Sequence, residues 1–357
     1  MTRNPVKIGD RLLGDGHPCF ITFEAGPTHR GIESAKALVR HAAEAGADAV
    51  KFQIVDPDRL VADRAMPFSY EVLVDRATGR TETVTEPLYD ILCRRAMDES
   101  EWRELKRYSD SVGLAFFCTI LFDDEIDFVA GLGCHSIKIA SADLNHYPLL
   151  RTAARSGLNI QLDTGNGLLG EVEAAVDIIR REGNENIIVH HCPSGYPARL
   201  ESINLRVIST LRQMFPFPIA YSDHTPGWDM DIAAIALGAS LVEKTITLDR
   251  MTRSIEHIMS LEAAEMRRFI QAIRNLEIAL GDPRRIMHPE EIKKRQGVRR
   301  SIYLEKDVKA GIRLVEAEID FRRPGFGIGP EMYDMLADRR FKTDLPAGHL
   351  LTLADLG

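Results

Sequence analysis

A chain of 357 residues, 45% hydrophobic and 27% charged, is long enough for one large domain plus a small one with a substantial core. Its net charge of −8 argues against a nucleic-acid or anionic-membrane partner, because binding polyanions takes clustered Lys and Arg. The five cysteines never fall in a CxxC spacing, so neither a disulfide framework nor a zinc cluster is expected, and a reducing, cytoplasmic setting fits.

In chain order, the N-terminal MTRNPVKIGDRLLGDGHP has no apolar core of signal-peptide length, and no later run is long enough to span a membrane. Eight β-rich runs follow: CFITFEAG (19–26), DAVKFQ (48–53), LAFFCTI (114–120), SIKIAS (136–141), NIQLDTG (159–165), NIIVHHC (186–192), PIAYSDH (218–224) and LVEKTIT (241–247). Between them lie stretches of helical period such as ESAKALVRHAAEAG, EVEAAVDIIRREG, NLRVISTLRQMF and DIAAIALGA. Eight βα units in succession predict a closed parallel (β/α)8 TIM barrel over 1–284, with its active site at the C-terminal strand ends. A doubly wound open sheet would want a GxGxxG fingerprint after the first strand, and EAGPTHRG is not one.

One connection, 54–98, breaks the rhythm. Turn chemistry at Thr78-Gly79 between strand-prone residues gives either a hairpin flap over the barrel mouth or a plain surface excursion. After about 285 the pattern changes to a linker (285–298) and a small β-rich module (299–357) containing RRSIYLEKDV, IRLVEAEIDFRR and PGFGIGP.

The predicted strand ends carry polar groups that a scaffold does not need: Glu24, Lys51 with Gln53, Thr119, Lys138 with Ser141, Asp163 with Asn166, His191 with Ser194 and Tyr196, Ser222 with His224, and Lys244 with Thr245. Buried Lys51 and Lys138 would each cost several kcal/mol, roughly, without an anion, so a bound phosphate or carboxylate is the expected counterpart; pairing with Glu243 or Asp163 is the structural alternative.

These residues lie in the words EAGPTHRG, AGADAVKFQ, IKIAS, YPLL, GYP, YSDHTPG, ALGASLVEKTITLDR and RRPGFGI, which resemble the sialic acid synthase family, the phosphoenolpyruvate-dependent synthases of nine-carbon ulosonic acids. The resemblance runs nearly end to end, and the C-terminal module looks like that family's antifreeze-like (SAF) domain. It implies phosphoenolpyruvate held by Lys51, Thr119, Lys138, Ser141 and Ser222. It implies a sugar aldehyde held by Glu24, Gln53, Tyr196 and Glu256, with Ser194 standing where the family has asparagine. A divalent metal, Mn or Mg, is implied on His224, and a domain-swapped homodimer on Arg323, which would reach the partner's site.

The sequence also departs from the family. Thr245 stands where a second histidine is expected, and a neutral hydroxyl is a poor metal ligand; either His190, His257 or Glu243 replaces it, or no tightly bound metal is needed. Asp163 stands in place of a hydroxyl and would repel phosphoenolpyruvate. Pro27-Thr28-His29 and Ile120 are further changes around the same pocket. Besides the synthase, a carbon–carbon bond enzyme that does not use phosphoenolpyruvate and a non-catalytic sugar-binding homologue remain open.

Overall fold

The computed structural model describes residues 3–357. By internal contacts the chain divides into two compact units, Met1–Gly281 and Asp282–Gly357.

The first unit opens with a short antiparallel hairpin, β1 (Val6–Ile8) and β2 (Arg11–Leu13). Its Val6, Ile8 and Leu13 cluster with Phe20, Phe117 and Ile188 from the N-terminal part of the strands that follow, so the hairpin stoppers that end of the barrel. The sequence gives no strong period for it, because three-residue strands are too short to show one.

The barrel itself uses β3 (Phe20–Glu24), β4 (Ala49–Gln53), β7 (Ala115–Ile120), β8 (Ser136–Ile139), β9 (Asn159–Asp163), β10 (Ile187–His191), β11 (Ile219–Asp223) and β12 (Leu241–Thr245). All eight pair in parallel and in order, and β12 closes on β3. Each predicted run therefore became one strand, and the sheet is closed, not open. Helices such as Ile32–Ala45 and Leu169–Arg181 cover the outside, burying Ala35, Leu38, Val39 and Ala42 in the first case. That first helix stops at Gly46, whose φ of 91° lets its N–H return to the last helical carbonyls.

The irregular connection is a hairpin, β5 (Pro67–Asp75) and β6 (Arg80–Pro87), with Gly79 at φ 69° in its turn. Asp75 holds the turn by accepting from Ala77 N–H at 2.9 Å and Thr78 Oγ1 at 2.6 Å. Tyr70 and Val72 pack on Ile91 and Ile255, while Arg76 reaches Glu262 and Asp249 at 2.6–2.8 Å. The flap is thus fastened to the segment after β12.

In the second unit β13 (Ser301–Leu304) pairs antiparallel with β14 (Ile319–Arg322) over a core of Ile302, Leu304, Leu314, Phe341 and Leu351. The stretch read as a linker contains the helix Pro289–Val298, which Pro289 starts and Glu291 caps by accepting from His288 N–H at 2.8 Å.

Candidate active site

Strand alternation decides which side chains enter the barrel. In β4 it sends Lys51 and Gln53 inward together; in β12 it sends Glu243 and Thr245 inward and Lys244 outward. Lys244, expected at the mouth, instead lies fully buried outside the barrel lumen against Asp223, with Asp231 3.7 Å away. The same rule separates the two histidines of β10. His190 is inside, whereas His191, the one expected at the mouth, bonds Ile203 O at 2.6 Å.

At the C-terminal end the strands surround a cavity of about 230 Å³. Glu24, Lys51, Gln53, Thr119, Ser141, Asp163, Tyr196, His224 and Glu256 all line it. Lys138 and Ser222 lie just beneath. Ser194 is at the rim, donating to Asn166 Oδ1 at 3.0 Å, and Asn166 in turn donates to Ser141 at 3.1 Å. Arg323 belongs to the second unit and is exposed.

Both lysines pair with carboxylates, the alternative that the sequence offered beside a bound anion. Glu243 Oε1 bridges them, 2.8 Å from Lys51 Nζ and 2.7 Å from Lys138 Nζ. Lys51 also contacts Glu24, and Lys138 also contacts Asp163 at 3.0 Å and Ser222 Oγ at 3.0 Å. Burial alone would raise the Glu243 carboxyl and lower the Lys51 ammonium. The charge of Lys138, then Lys51, reverses the first shift, and that of Glu24, then Glu243, reverses the second, so Glu243 stays ionised and Lys51 stays protonated. Lone sequence positions could not show this, because Lys51, Lys138 and Glu243 come from three separate strands.

Glu24 is tied further by Gly26 N–H, which donates to Oε1 at 2.6 Å. A Cβ on residue 26 would stand 2.7 Å from that oxygen and 2.8 Å from Gln53 N, so only glycine lets the turn close over the carboxylate. Glu256 sits at φ 68°, a left-handed backbone that a non-glycine residue adopts at a cost, often at functional sites. Burial, with the charge of Glu24 added, pushes its carboxyl up to about 8.

Beneath Lys138 runs a buried polar chain. Ser222 Oγ is 3.0 Å from His190 Nδ1, His190 Nε2 is 2.9 Å from Gln161 Oε1, Gln161 Nε2 donates to Ser136 at 2.8 Å, and Ser136 donates to Asn159 Oδ1 at 2.7 Å. Burial and the Lys138 charge push His190 down to about 3, so its ring is neutral.

The donor set does not fit the metal that the resemblance implies. His224 is half-buried, with its ring edge against Tyr196 (centroids 4.7 Å apart) and Nδ1 3.0 Å from Pro193 O. Thr245 presents a neutral hydroxyl 3.5 Å from Glu256. Of the replacement ligands, His190 has both nitrogens engaged, His257 Nδ1 is 2.7 Å from Thr247 Oγ1, and Glu243 holds the lysines. Among the described residues no group of three or more His, Cys, Asp or Glu is placed to bind an ion.

The sequence reading missed Arg95. It follows the helix Leu88–Cys93 at the foot of the flap and lines the cavity beside Glu24 and Glu256. Its only signal was a second arginine in the excursion word CRRAMDES.

The NeuB family pattern matches residues 38–285. The N,N'-diacetyllegionaminic acid synthase of Legionella pneumophila is 33% identical over 356 residues, 98% of both chains. The N-acetylneuraminate-9-phosphate synthase of Homo sapiens is 31% identical over 308 residues, 85% of this chain and 83% of that one. Among solved structures, the N-acetylneuraminic acid (sialic acid) synthetase of Leptospira borgpetersenii, in complex with citrate, is similar with a TM-score of 0.71 and 28% identity, covering 82% of this chain and 95% of that one. No helix of the described residues is long and apolar enough to cross a membrane.

Proposed function

Since this chain belongs to the NeuB family, whose matched relatives include synthases of sialic, legionaminic and pseudaminic acids, we propose that it condenses phosphoenolpyruvate with an aldose or amino-sugar aldehyde. The products are a 3-deoxy-2-ulosonic acid and phosphate. The observation that carries this reading is the pair of buried ammoniums, Lys51 and Lys138, bridged by Glu243 at the floor of a cavity that opens at the C-terminal strand ends.

In this reading C3 of the enolpyruvate attacks the aldehyde carbon, the aldehyde oxygen takes a proton, water adds to the cationic C2, and the C2–O bond to phosphate breaks. Lys51 and Lys138 lower the cost of the donor's charge, since fixed cations aimed at an anion contribute several kcal/mol, roughly. Glu256, protonated below about pH 8, holds the proton that the new hydroxyl needs. Glu24, held by Gly26 N–H and Lys51, orients the attacking water.

The reading is tested by mixing purified protein with phosphoenolpyruvate and a pool of N-acetylhexosamines and pentoses, and following inorganic phosphate. Aldehyde-dependent release supports it. No release, with only a sugar-induced rise in melting temperature, sinks it in favour of a binding protein.

Asp163 gives a second expectation. Its carboxylate lies 3.0 Å from Lys138 and faces the anion that the lysine should receive. Asp163→Ser removes that repulsion and leaves Lys138 still paired with Glu243, so phosphoenolpyruvate should bind about tenfold more tightly by titration calorimetry. Unchanged or weaker binding would mean that the donor's charge does not reach Lys138.

A further inference from the structure

Inside the cavity, every lysine is already matched. Lys51 has Glu24 and Glu243, and Lys138 beneath it has Glu243 and Asp163. Arg95 is different. Among the described residues no carboxylate lies within ion-pair distance of its guanidinium, and its Nε is buried without a hydrogen-bond partner. The nearby acid that might have neutralised it, Glu256, accepts only a distant hydroxyl, Thr245 Oγ1 at 3.5 Å.

A guanidinium half-buried at a cavity wall with an orphaned N–H is costly in the free protein, because that donor has no partner and Glu256 and Glu24 attract the charge only from beyond ion-pair distance. Arg95 neighbour Arg94 shows the contrast: it forms a two-pronged pair with Glu86 at 2.6 and 2.8 Å. Of the flap's carboxylates, Glu86 pairs with the outer arginine and Glu82 with Arg253, and neither pairs with the inner one. The cavity that Arg95 lines is mixed, with Leu60, Leu92 and Ile255 beside Glu24 and Glu256.

We propose that Arg95 is the anion-receiving residue of this site and takes a phosphate or carboxylate group of the bound substrate. The inference rests on the synthase reading for the identity of that substrate, though not for the site's preference for an anion. A planar fork of N–H donors suits either group bidentately, and lysine at this position would serve as a point charge only. The donor's own anionic groups and an acidic group on the acceptor sugar are the two sources of that chemistry.

The test measures binding of phosphoenolpyruvate, an N-acetylhexosamine and its 6-phosphate by calorimetry to the full chain and to its Arg95→Gln and Arg95→Lys variants. Because no partner is orphaned by the change, Arg95→Gln should leave the melting temperature unchanged or raised. It should weaken at least one anionic ligand by about tenfold or more, leave the neutral sugar untouched, and be partly rescued by Arg95→Lys. Loss for phosphoenolpyruvate assigns the anion to the donor, and loss for the sugar phosphate alone assigns it to the acceptor. Wild-type affinity of Arg95→Gln for every anion, or a wild type that binds none of them, overturns the proposal. Phosphate release, assayed in parallel, separates the two readings: turnover unaffected by Arg95→Gln sinks this inference alone. An Arg95-dependent anion without any turnover sinks the synthase reading alone.

Discussion

Lys138→Met should lose turnover by two to three orders of magnitude in kcat, roughly what removal of one fixed electrostatic group costs in comparable sites. The side chain is 1% exposed and donates to Ser222 while pairing with Glu243 and Asp163. Its removal leaves two carboxylates facing each other across a space with one cation fewer. Breaking a buried pair in this way costs about 3–5 kcal/mol of stability, so a urea titration must accompany the kinetics. Lys138→Met/Asp163→Ser removes one charge of each sign and should recover much of the stability but none of the rate. If the double variant regains turnover, Lys138 has no role in the chemistry and serves only to neutralise Asp163.

Glu256→Gln is the second large effect, a loss of about a hundredfold in kcat if Glu256 supplies the proton to the aldehyde oxygen. The pH dependence gives the sharper reading. The native carboxyl titrates near 8, above its ordinary value of 4.5. Its proton is therefore bound more tightly in the folded state; that stabilisation is complete below about pH 4.5 and is lost as pH rises through about 8. In wild type both kcat and thermal stability should fall across that upper range. In Glu256→Gln the amide mimics the protonated acid, so the stability loss should flatten while the residual rate stays level. A wild-type alkaline limb that persists in the variant would assign it to another group.

Much of the fold was legible because each barrel strand is a short β-rich run bounded by turns, and the eight runs alternate with helical periods. The inside of the barrel was less so. Strands of a parallel sheet are buried on both faces and do not alternate polar with apolar, so HH at 190–191 and EKT at 243–245 gave no sign of which residue faced inward. The consequence was a misplacement of His191 and Lys244, and a choice left open between an anion and the carboxylates Glu243 and Asp163 for Lys51 and Lys138. Most of the resemblance-derived residues nevertheless line one cavity. Arg95 lay beyond such reasoning, since its position depends on how the flap folds back and not on any strand end.

The polar chain below Lys138 has a direction. Asn159 Nδ2 donates to the carbonyl of Asn186 at 2.9 Å, a group that only accepts, and so its Oδ1 must face Ser136. Each later link is then forced: Ser136 receives from Gln161 Nε2, Gln161 Oε1 receives from His190 Nε2–H, and the neutral ring is left with a bare Nδ1. Ser222 has a single proton and two acceptors for it, that nitrogen at 3.0 Å and Asp163 Oδ1 at 3.2 Å. Either way it turns a lone pair toward the ammonium of Lys138 at 3.0 Å, and a backbone carbonyl four side chains away decides that His190 offers this hydroxyl a bare nitrogen, the one neutral acceptor set beside the Asp163 carboxylate.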